Sequence, residues 1–405
     1  MTLAAPPVPW VEARLAAHRA GAARPAPVVE LPLAEADWTT LAEPLHTRTD
    51  LPAFPTSSVD GWAARGPGPW RIVGRVLAGA RAEPLTEDGT CVEIATGAMV
   101  PAGTDEIIRV EESQTTDGVV SGQARPAPEW RAAGEEAKAG EELFPAGTPV
   151  TPGLIGLAAS CGYDTLRVHR PPRAAVLVFG DELLTSGPPG AGRVRDALGP
   201  SVPAWLRRLG ATVGEPAGPV EDTLDAHVGA LHGALAGGAE LICTTGGTMR
   251  GPVDHMHPAL HKLGAEYVVN TVAVRPGFPM LLASVASRRE GGTVGGTLIA
   301  GLPGNPQSAV VALVSLVAPA LAGLSGRPLP ELPRIRLGAP IPGRGGYTHL
   351  ALVDRAGRPV PHVGSAMLRG LAASVGFAVI PPDGAGRAGD EVALVPLPML
   401  EGERL

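Results

Sequence analysis

The chain has 405 residues, and its 54 Gly and 44 Pro place turn-forming or helix-breaking residues at about a quarter of all positions. This frequency excludes a long helical rod and a coiled coil, while 44% hydrophobic and 18% charged residues exclude general disorder. The net charge of −7 carries no sign of a nucleic-acid-binding surface, so a small-molecule partner is expected. At roughly 100–200 residues per domain, the length predicts two to four domains.

The first part of the chain predicts a bracing segment followed by a small β domain. Residues 1 to about 50 combine two short helical patterns, WVEARLAAHRAG and LAEADWTTLAEPL, with Pro-rich joints, and lack the apolar periodicity for a core of their own. From residue 70 to about 123, Gly, Pro and Asp turns separate the β-type runs WRIVGRVL, TCVEIAT, EIIRVEES and GVVSG. A helix is predicted over 152–161, with Pro in its first turn and Gly162 after its end.

After residue 172, patterns of buried strands alternate with helical patterns. The strand-type runs are AAVLVFG, ATV, ELICTT, YVVNTVAV and GTLIAG, and a last helix is predicted over 305–323. Because apolar strands that alternate with helices are covered on both faces, the pattern predicts a three-layer α/β/α domain with a mostly parallel sheet. From about residue 327, the segments RIRLGAPI, THLALV, GFAVIPP and EVALVPL predict a C-terminal β-barrel or sandwich.

Nothing in the sequence predicts a membrane protein or a disulfide framework. The first 21 residues have no uninterrupted apolar stretch after a basic start, so a signal peptide is not expected. The most apolar stretch, 308–323, is shorter than the roughly 20 residues that span a bilayer, and it predicts a buried helix. Cys91, Cys161 and Cys243 show no CxxC spacing and are expected to be reduced core thiols of a cytoplasmic protein.

Three loops follow strands of the predicted α/β domain, at the edge where helix N-termini present free amides. They are Gly180-Asp181-Glu182-Leu183, Thr244-Thr245-Gly246-Gly247-Thr248 and Gly301-Leu302-Pro303-Gly304-Asn305-Pro306. Glycine at a strand tip allows positive φ and close backbone approach, so successive amides form a nest for a phosphate or another anion. The alternative is that each tip is only a tight turn and each acid a helix cap. Three such loops at one sheet edge favour the anion site.

Acidic side chains near these tips predict a magnesium site. Glu182 follows the first strand, and Asp254 follows the second glycine loop. Carboxylates are ligands that Mg²⁺ prefers, and Mg²⁺ usually accompanies a phosphoanhydride. His255, His257 and His261 cluster nearby, but their spacing does not place all three on one helix face, so a zinc site is not expected.

Four further candidates lie outside these loops. Asp60 in SSVDGW and Thr96 in IATGAM are each, by their local sequence alone, more typical of an ordinary turn than of a site. Glu136 belongs to an acidic pair that is otherwise expected at a solvated turn. Arg275 offers a fixed cation for a phosphate or an oxyanion, the alternative being a surface arginine without a function.

Seven segments, taken in order, form a recognisable combination: SSVDGWAAR, IATGAMVPAGTDEIIRVEE, GEEAKAGEELFPAGTPVTPGLIGLAASCGYDTLRVHRPP, FGDEL, TTGGTMRGPVDH, AVRPGFP and GLPGNPQSAVVAL. They resemble the molybdopterin molybdenumtransferases, the molybdenum-insertion enzymes of molybdenum-cofactor biosynthesis, which are related to the E domain of gephyrin. The resemblance covers about residues 25–400. Its most specific pieces are DGWA, TGAMVPAG, GDEL and LPGNP, taken together.

The resemblance implies a homodimer of four-domain subunits. The domains implied are a linker domain made of 1–55 and 130–172, an inserted β domain over 56–129, an α/β domain over 173–326 and a C-terminal β-barrel over 327–405. The implied reaction inserts molybdate into the dithiolene of adenylated molybdopterin, releases AMP and requires Mg²⁺. The cleft is implied to lie between the α/β domain of one subunit and the β domain of the other. Contact with other proteins of cofactor biosynthesis is a further expectation.

Carried over residue by residue, the resemblance assigns roles on both sides of this cleft. The catalytic positions implied are Asp60, Thr96, Glu182, Asp254 and Arg275, with Glu182 and Asp254 as the metal ligands. The substrate-binding positions implied are Gly180, Asp181, Thr245, Gly246, Gly247, Pro303, Gly304, Pro306 and Ser365. Glu136 stands where the family commonly has Asp.

Three departures replace polar groups of the family by apolar ones. The usual Ser-Thr-Gly-Asp-Glu, Asp-Thr-Asn and Lys-Pro-Gly-Lys-Pro read Val178-Phe179-Gly180-Asp181-Glu182, Asp196-Ala197-Leu198 and Arg275-Pro276-Gly277-Phe278-Pro279. Loss of the second lysine removes a charge that offsets the desolvation of an oxyanion. Besides a working transferase, two alternatives stay open: a non-enzymatic carrier, scaffold or regulator that binds the pterin or its nucleotide, and a protein that acts on another phosphorylated substrate.

Overall fold

The computed structural model describes residues 6–248, 255–288 and 294–398. A central α/β domain carries two further β-rich regions before it in the chain and one after it. The predicted class, a multidomain α/β plus β protein, is confirmed. Asp254, one of the two predicted metal ligands, lies outside the described residues.

A seven-stranded sheet forms the centre of the α/β domain. Five neighbouring strands pair in parallel, and the last two strands at one edge pair antiparallel, so that only Leu281–Arg288 runs in the opposite direction. The predicted mostly parallel sheet is confirmed. Across the sheet, the order is Thr212–Val213 and Ala217–Val220, both beside Arg173–Phe179, then Leu241–Thr245, Val294–Leu302, Leu281–Arg288 and Glu266–Val269.

Helices cover both faces of this sheet because its strands are apolar on both sides. In the strand Arg173–Phe179, Val176 and Val178 pack into one core, while Leu177 and Phe179 pack into the other. Three helices cover the first face: Trp10–Ala22, Leu198–Arg208 and a continuous helix made of Pro306–Ala312, the π-helical turn Leu313–Val317 and Ala318–Leu324. Two helices cover the second face, Leu224–Ala236 and Met256–Lys262. The three predicted layers are present.

The apolar helix predicted over 305–323 is observed over Pro306–Leu324. Its length and composition are sufficient to cross a membrane, but 94% of its most apolar window is buried inside the protein. The prediction of a buried core helix is therefore confirmed. Its π-helical turn, Leu313–Val317, ends two residues before Pro319, which has no N–H to continue the regular ladder.

The first helix, Trp10–Ala22, packs on the α/β domain, although the sequence assigned residues 1–55 to the linker domain. Gly21 and Gly323 allow its backbone to approach the helix Ala318–Leu324, and the Trp10 indole N–H donates to Ser315 Oγ at 2.8 Å. A Cβ on Gly21 would lie 2.1 Å from the Ala320 carbonyl oxygen. The alanine-rich face of this helix is therefore buried by long-range packing, which its local sequence does not specify.

The run YVVNTVAV does not form the single strand that its apolar pattern predicts. Its first half, Glu266–Val269, lies at the edge of the α/β sheet, whereas its second half, Val272–Arg275, joins the C-terminal sheet. The polar pair Asn270 and Thr271 interrupts the apolar run where the chain crosses between the two sheets. Each half finds its own backbone partners, so tertiary pairing decides the break.

The C-terminal sheet has six strands. Their order is Val8–Pro9, Val272–Arg275, Thr348–Val353, Gly376–Ile380, Glu391–Pro396 and Arg334–Arg336, and the short helix Arg369–Ala373 precedes the fourth. A β-rich C-terminal domain is therefore present. Among the described residues, no backbone pairing joins the two end strands, and closure into a barrel stays a prediction.

The four β runs predicted between residues 70 and 123 belong to one six-stranded sheet. Its order is Ser113–Thr116, Val119–Gly122, Trp70–Val76, Thr90–Ile94, Gly61–Arg65 and Glu106–Arg109, with the 3₁₀ turn Val110–Glu112 beside it. Two small apolar clusters lie on opposite faces of the sheet, one around Ile107 and the other around Ile108. This region therefore has a core of its own.

Backbone pairing joins two distant segments on either side of this β region. Val28–Pro32 and Thr40–Leu41 pair with Thr165–His169, Leu45–His46 pairs with Glu142–Phe144, and Thr56–Ser57 pairs with Trp130–Arg131. The helix Pro152–Ser160 packs beside them, and its N-cap Thr151 accepts the Leu154 N–H. The exact domain limits stay predictions.

The helix predicted for the second N-terminal pattern, LAEADWTTLAEPL, is wrong. Only the 3₁₀ turn Leu33–Glu35 forms there, followed by Thr40–Leu41 and Leu45–His46 as short strands. Trp38 adopts φ 64°, which no regular helix contains, and it is 69% exposed. Pairing with strands from the second segment overrides the weak local helical preference.

The close contact at Gly21 makes a testable prediction. Gly21→Ala forces a methyl group onto the backbone of the facing helix, so we expect the free energy of unfolding to fall by about 1–3 kcal/mol. Gly229→Ala is the matched control, because a Cβ there meets nothing within 4 Å and Ala is preferred to Gly in helices by up to about 1 kcal/mol. Denaturant unfolding measures both variants, and equal stability of the two would contradict this packing.

Candidate active-site cleft

An open cleft of about 1610 Å³ lies between the α/β domain and the C-terminal sheet. Ten of the predicted site residues line it: Gly180, Glu182, Thr245, Gly246, Gly247, Arg275, Pro303, Gly304, Pro306 and Ser365. Asp181 faces a smaller adjoining cavity of about 350 Å³. The structure therefore brings all three predicted strand tips and two segments outside them into one space.

The first strand tip bends at Gly180. Its φ of 140° is a conformation that side-chain-bearing residues rarely adopt, and a Cβ there would lie 2.7 Å from Glu182 Oε2. The Gly180 N–H donates to the Val220 carbonyl at 3.3 Å, which fixes the tip against the neighbouring strand. The exposed Glu182 carboxylate is thereby folded back over the glycine at the edge of the cleft.

The second and third tips touch each other. Gly246 and Gly247 have φ values of 86° and 66°, and the Gly246 N–H donates to the Leu302 carbonyl at 3.0 Å. A Cβ on Gly304 would lie 3.7 Å from the Gly246 Cα. The parallel register Thr245↔Leu302 brings these two loops to the same depth of the cleft.

The N-terminus of the helix Pro306–Ala312 does not present all of its amides to a ligand. The Gln307 N–H donates to the Ser365 main-chain carbonyl at 2.9 Å, and the Ser308 N–H contacts the same oxygen at 3.4 Å. The Gln307 side chain in turn accepts the Gly364 N–H at 3.2 Å. The loop that carries Ser365 thus caps the helix on which the sequence analysis expected free amides.

Arg275 lines the cleft at the carboxyl end of the strand Val272–Arg275 of the C-terminal sheet. Its guanidinium carbon lies 5.2 Å from the centre of the Phe278 ring and 4.6 Å from that of Tyr347, and these two rings meet edge to face. Arg275 is exposed, and within the described part of the chain it makes no ion pair. The aromatic pair therefore orients a cation whose charge stays available to an anion.

A histidine and a second arginine lie close to this aromatic pair. His349 is the strand neighbour of Arg275, and its Nδ1–H donates to the Pro342 carbonyl at 2.7 Å. Burial lowers the pKa of His349, and the charge of Arg344 lowers this pKa further. His349 is thus kept neutral near pH 7, and the positive charge at this end of the cleft comes from the arginines.

Two of the three family departures lie in packed surroundings. Phe179 is 4% exposed and stacks on His227, with ring centroids 3.9 Å apart and ring planes at 9°. Leu198 is 5% exposed and begins the helix Leu198–Arg208. The Asp196 carboxylate accepts the N–H groups of Leu198 and Gly199, each at 2.9 Å, and caps this helix.

The sequence analysis gave no site role to Asp196, Asp222 or Tyr347, which line the cleft, or to His227, which is buried against Phe179. Asp196 had a local signal, since an Asp directly before an apolar helical pattern is typical of an N-cap. Asp222 and Tyr347 lie in loops whose neighbours in space are distant in sequence. His227 had the signal of a lone polar residue on the buried side of a helix, although that pattern does not say what it faces.

Asp60 and Thr96 meet each other but do not line the cleft. The Asp60 carboxylate accepts the Thr96 N–H at 2.7 Å and the Thr96 hydroxyl at 3.1 Å, at the ends of paired strands of the β region. Both residues are exposed. Glu136 lies apart from them, where its N–H donates to the Leu51 carbonyl.

Hard oxygen donors dominate the acidic side of the cleft. Among the described residues, no group of three or more His, Cys, Asp and Glu side chains is placed to hold a metal ion. The carboxylates of Glu182 and Asp222 line the cleft, and Mg²⁺ is commonly bound by one or two carboxylates together with substrate phosphates. This donor set fits Mg²⁺.

The three cysteines and the histidines His255, His257 and His261 are not among the residues that line the cleft. All three cysteines are free and buried, and burial raises the pKa of Cys91 to about 11 and that of Cys243 to about 12. His257 lies at 2.6 Å from the Tyr267 hydroxyl, away from the cleft. The expectation of buried core thiols is confirmed.

The comparisons with known proteins agree with this architecture. Residues 10–162 match the family described as the MoeA N-terminal region (domain I and II), and residues 175–323 match the probable molybdopterin binding domain. A solved structure titled as a molybdopterin biosynthesis moeA protein from Pyrococcus horikoshii OT3 has a TM-score of 0.77 at 21% identity, over 96% of this chain and 99% of the other. The fold is therefore that of this class of protein.

Curated relatives define the family. A molybdopterin molybdenumtransferase 2 of Mycobacterium tuberculosis is 33% identical over 79% of this chain and 80% of its own length. A molybdopterin molybdenumtransferase of Synechococcus elongatus is 30% identical over 73% of this chain and 75% of its own length. This chain belongs to the molybdopterin molybdenumtransferase family, and it is a transferase.

Ser365 caps the helix Pro306–Ala312 with its main-chain carbonyl, so its main chain and its side chain have different roles that substitutions can test. Because the carbonyl makes the cap, Ser365→Ala should change the free energy of unfolding by less than about 0.5 kcal/mol. Gln307→Ala removes the acceptor of the Gly364 N–H and should cost about 1 kcal/mol. Chemical denaturation compares the two, and a Ser365→Ala loss as large as that of Gln307→Ala would show that the side chain carries the contact.

Proposed function

We propose that this chain inserts molybdenum, supplied as molybdate, into adenylated molybdopterin and releases AMP, a late step of molybdenum-cofactor biosynthesis. Membership of the transferase family supports the reaction class. The observation that carries the proposal is the cleft itself: three glycine-containing strand tips open onto the same space as an arginine with no carboxylate partner among the described residues. This combination suits a phosphorylated substrate together with a second anion.

Each part of the cleft then has a physical task. The tips at Gly180 and at Gly246 and Gly247 lack side chains where a Cβ would crowd the backbone or strain φ, so phosphate oxygens approach the main chain closely. Thr245 and Ser365 offer hydroxyl groups at the wall. Arg275, held by Phe278 and Tyr347, binds the molybdate dianion.

Magnesium is the metal that we propose for the acidic side of the cleft. Glu182 would hold it, with Asp254 as the second predicted ligand and the substrate phosphates completing its shell. When bound, Mg²⁺ withdraws electron density from the phosphoanhydride and offsets its negative charge. Gly180 keeps the Glu182 carboxylate close to the tip at which the phosphates would lie.

A homodimer is part of the proposal. Asp60 and Thr96 are exposed on the β region and lie outside the cleft of their own chain. We propose that dimerisation brings this pair to the cleft of the second subunit, in a cytoplasmic enzyme. The hydrogen bonds between Asp60 and Thr96 would then preorient the carboxylate for a substrate bound mainly by the other chain.

The reaction is tested directly by incubating the purified protein with adenylated molybdopterin, molybdate and Mg²⁺. We expect AMP release and formation of active cofactor, whereas binding without turnover would refute a working transferase. Arg275→Gln should weaken molybdate binding about 10- to 100-fold, since a hydrogen bond to a charged group contributes roughly 1.5–3 kcal/mol. Arg336→Gln is the control, because Arg336 forms an exposed pair with Glu391 and does not line the cleft.

Phe278 favours a second candidate, a carrier or regulator that binds the pterin nucleotide without turnover. The ring occupies the place of a family lysine and contacts Tyr347, so one cation is absent from the cleft. If this absence limits catalysis, Phe278→Lys should raise AMP release by tenfold or more, the effect of restoring roughly 1.4 kcal/mol of charge stabilisation.

Phe179→Thr serves as the matched comparison for Phe278→Lys. It restores the polar group of the second departure, but in the packed core against His227, so it should lower stability without raising AMP release. Unchanged turnover in Phe278→Lys, together with intact substrate binding, would show that the lost lysine does not set the activity.

A further inference from the structure

The wall of the cleft that carries the strand tips has little positive charge. The carboxylates of Glu182, Asp196 and Asp222 line this wall, and among the described residues Arg195 is the one cationic side chain that lines it. A phosphate group bound at the glycine tips would be repelled by these carboxylates, because like charges repel strongly at short range. Mg²⁺ offsets part of this repulsion in the proposed function, whereas Arg195 has no task in it.

Arg195 is attached to the segment that continues the first strand tip. The two-residue strand Val194–Arg195 pairs in parallel with Leu183–Leu184, which directly follows Glu182. The Glu182 carbonyl accepts the first N–H of this strand at 3.0 Å, and the Arg195 Nη1 group donates to the Leu184 carbonyl at 2.9 Å. Both the main chain and the guanidinium of Arg195 are therefore held beside the tip.

The charge of Arg195 is not neutralised by another side chain. Arg195 is exposed, and within the described part of the chain it makes no ion pair. Asp196, the adjacent acid, directs its carboxylate to two main-chain N–H groups of the helix that follows. Of the five N–H donors of a guanidinium, one is used by the Leu184 carbonyl, and no second hydrogen bond to a described residue is present. Most of the donor fork is thus open to a ligand.

The helix N-termini at the cleft offer an oxyanion few main-chain amides. The first two amides of the helix Leu198–Arg208 donate to Asp196, and the third position is Pro200, which has no N–H. The Ser365 carbonyl takes the first amides of the helix Pro306–Ala312 in the same way. An oxyanion therefore gains little from either helix and needs a side-chain donor. A guanidinium suits this task, because its planar fork binds two oxygens of a phosphate at once.

We propose that Arg195 binds the phosphate of the adenylate, which AMP also carries, through two parallel hydrogen bonds from its guanidinium, while Arg275 holds molybdate at the opposite wall. Both ligand groups are tetrahedral oxyanions, and the two arginines line different walls of the same cleft. Each cation then offsets the charge of one anion, so the two anions can be brought together. The inference rests on the proposed function for the identity of the ligands. No covalent bond forms or breaks at Arg195.

Arg193 provides a matched control on the same loop. It is exposed like Arg195, but its Nη2 group donates to the main-chain carbonyls of Asp181 at 3.3 Å and Leu183 at 2.8 Å. Arg193 lines the smaller adjoining cavity and not the cleft. Arg193→Gln therefore removes the same charge two residues away, and it separates direct contact with the phosphate from a general change in the electrostatic field.

Calorimetric titration with AMP in the presence of Mg²⁺ tests the assignment. We expect Arg195→Gln to weaken AMP binding about tenfold, since it removes a charged hydrogen-bonding partner of the phosphate. Arg193→Gln should stay within about threefold of the wild type, because an exposed charge that does not touch the ligand is screened. Arg195→Lys should recover only part of the affinity, because an ammonium keeps the charge but lacks the fork. In a second titration, with molybdate alone, Arg195→Gln should bind like the wild type.

Equal AMP affinity in the wild type and Arg195→Gln, equal losses in Arg195→Gln and Arg193→Gln, or failure of AMP to bind the wild type would each overturn the inference. Weaker binding of molybdate instead of AMP would also do so, because it would place the other oxyanion at the tips. Arg195 is exposed, so its variants should keep the unfolding midpoint of the wild type.

The insertion assay is independent of these titrations. A working transferase whose AMP affinity does not depend on Arg195 would overturn this inference alone. AMP binding that depends on Arg195, in a protein that inserts no molybdenum, would contradict the proposed function alone.

Discussion

The parallel register of three adjacent strands determines where everything else at the cleft can lie. Val178 pairs with Thr245, and Thr245 pairs with Leu302, so the three strands end at one level. Parallel strands have their carboxyl ends at the same edge, and the residue after each end is free to turn sharply. Gly180, Gly246 and Gly304 are therefore neighbours in space although more than fifty residues separate each from the next in sequence.

The second constraint is that the cleft has two walls from different sheets. The chain leaves the α/β sheet after Glu266–Val269 and enters the C-terminal sheet with Val272–Arg275. This crossing places Arg275 on the wall opposite the glycine tips. The Ser365 carbonyl joins the walls a second time, because it caps a helix of the α/β domain from a loop of the C-terminal domain. Movement between these walls would change the site.

Charge is divided between the two walls. Among the described residues, carboxylates at Glu182, Asp196 and Asp222 outnumber the one cation, Arg195, on the side of the strand tips, whereas Arg275 and Arg344 line the other side. Each wall also has a neutral histidine, His227 beneath the strand tips and His349 on the opposite side, since burial lowers the pKa of both. A substrate that carries phosphate and meets a second oxyanion requires this kind of separation, because two anions are brought together only when cations offset their repulsion.

The sequence by itself determined the elements and the chemistry of the strand tips. Apolar runs such as AAVLVFG and GTLIAG specify strands that are covered on both faces, and glycines at their ends specify tips without side chains. These are local properties, so the three layers, the buried helix and the three glycine-containing tips of the cleft could be predicted from the sequence, as could the family from its ordered motifs.

Only the tertiary structure decided the properties that depend on distant partners. The two halves of the run YVVNTVAV pair with strands of two different sheets. Near Trp38, a segment with a helical pattern forms short strands because it pairs with residues beyond position 140. The same holds at the cleft: nothing local to His227 says that it faces Asp222 and Phe179, or that Ser365 caps a helix sixty residues earlier. Such contacts join segments far apart in the chain, and they exist only once the whole domain has packed.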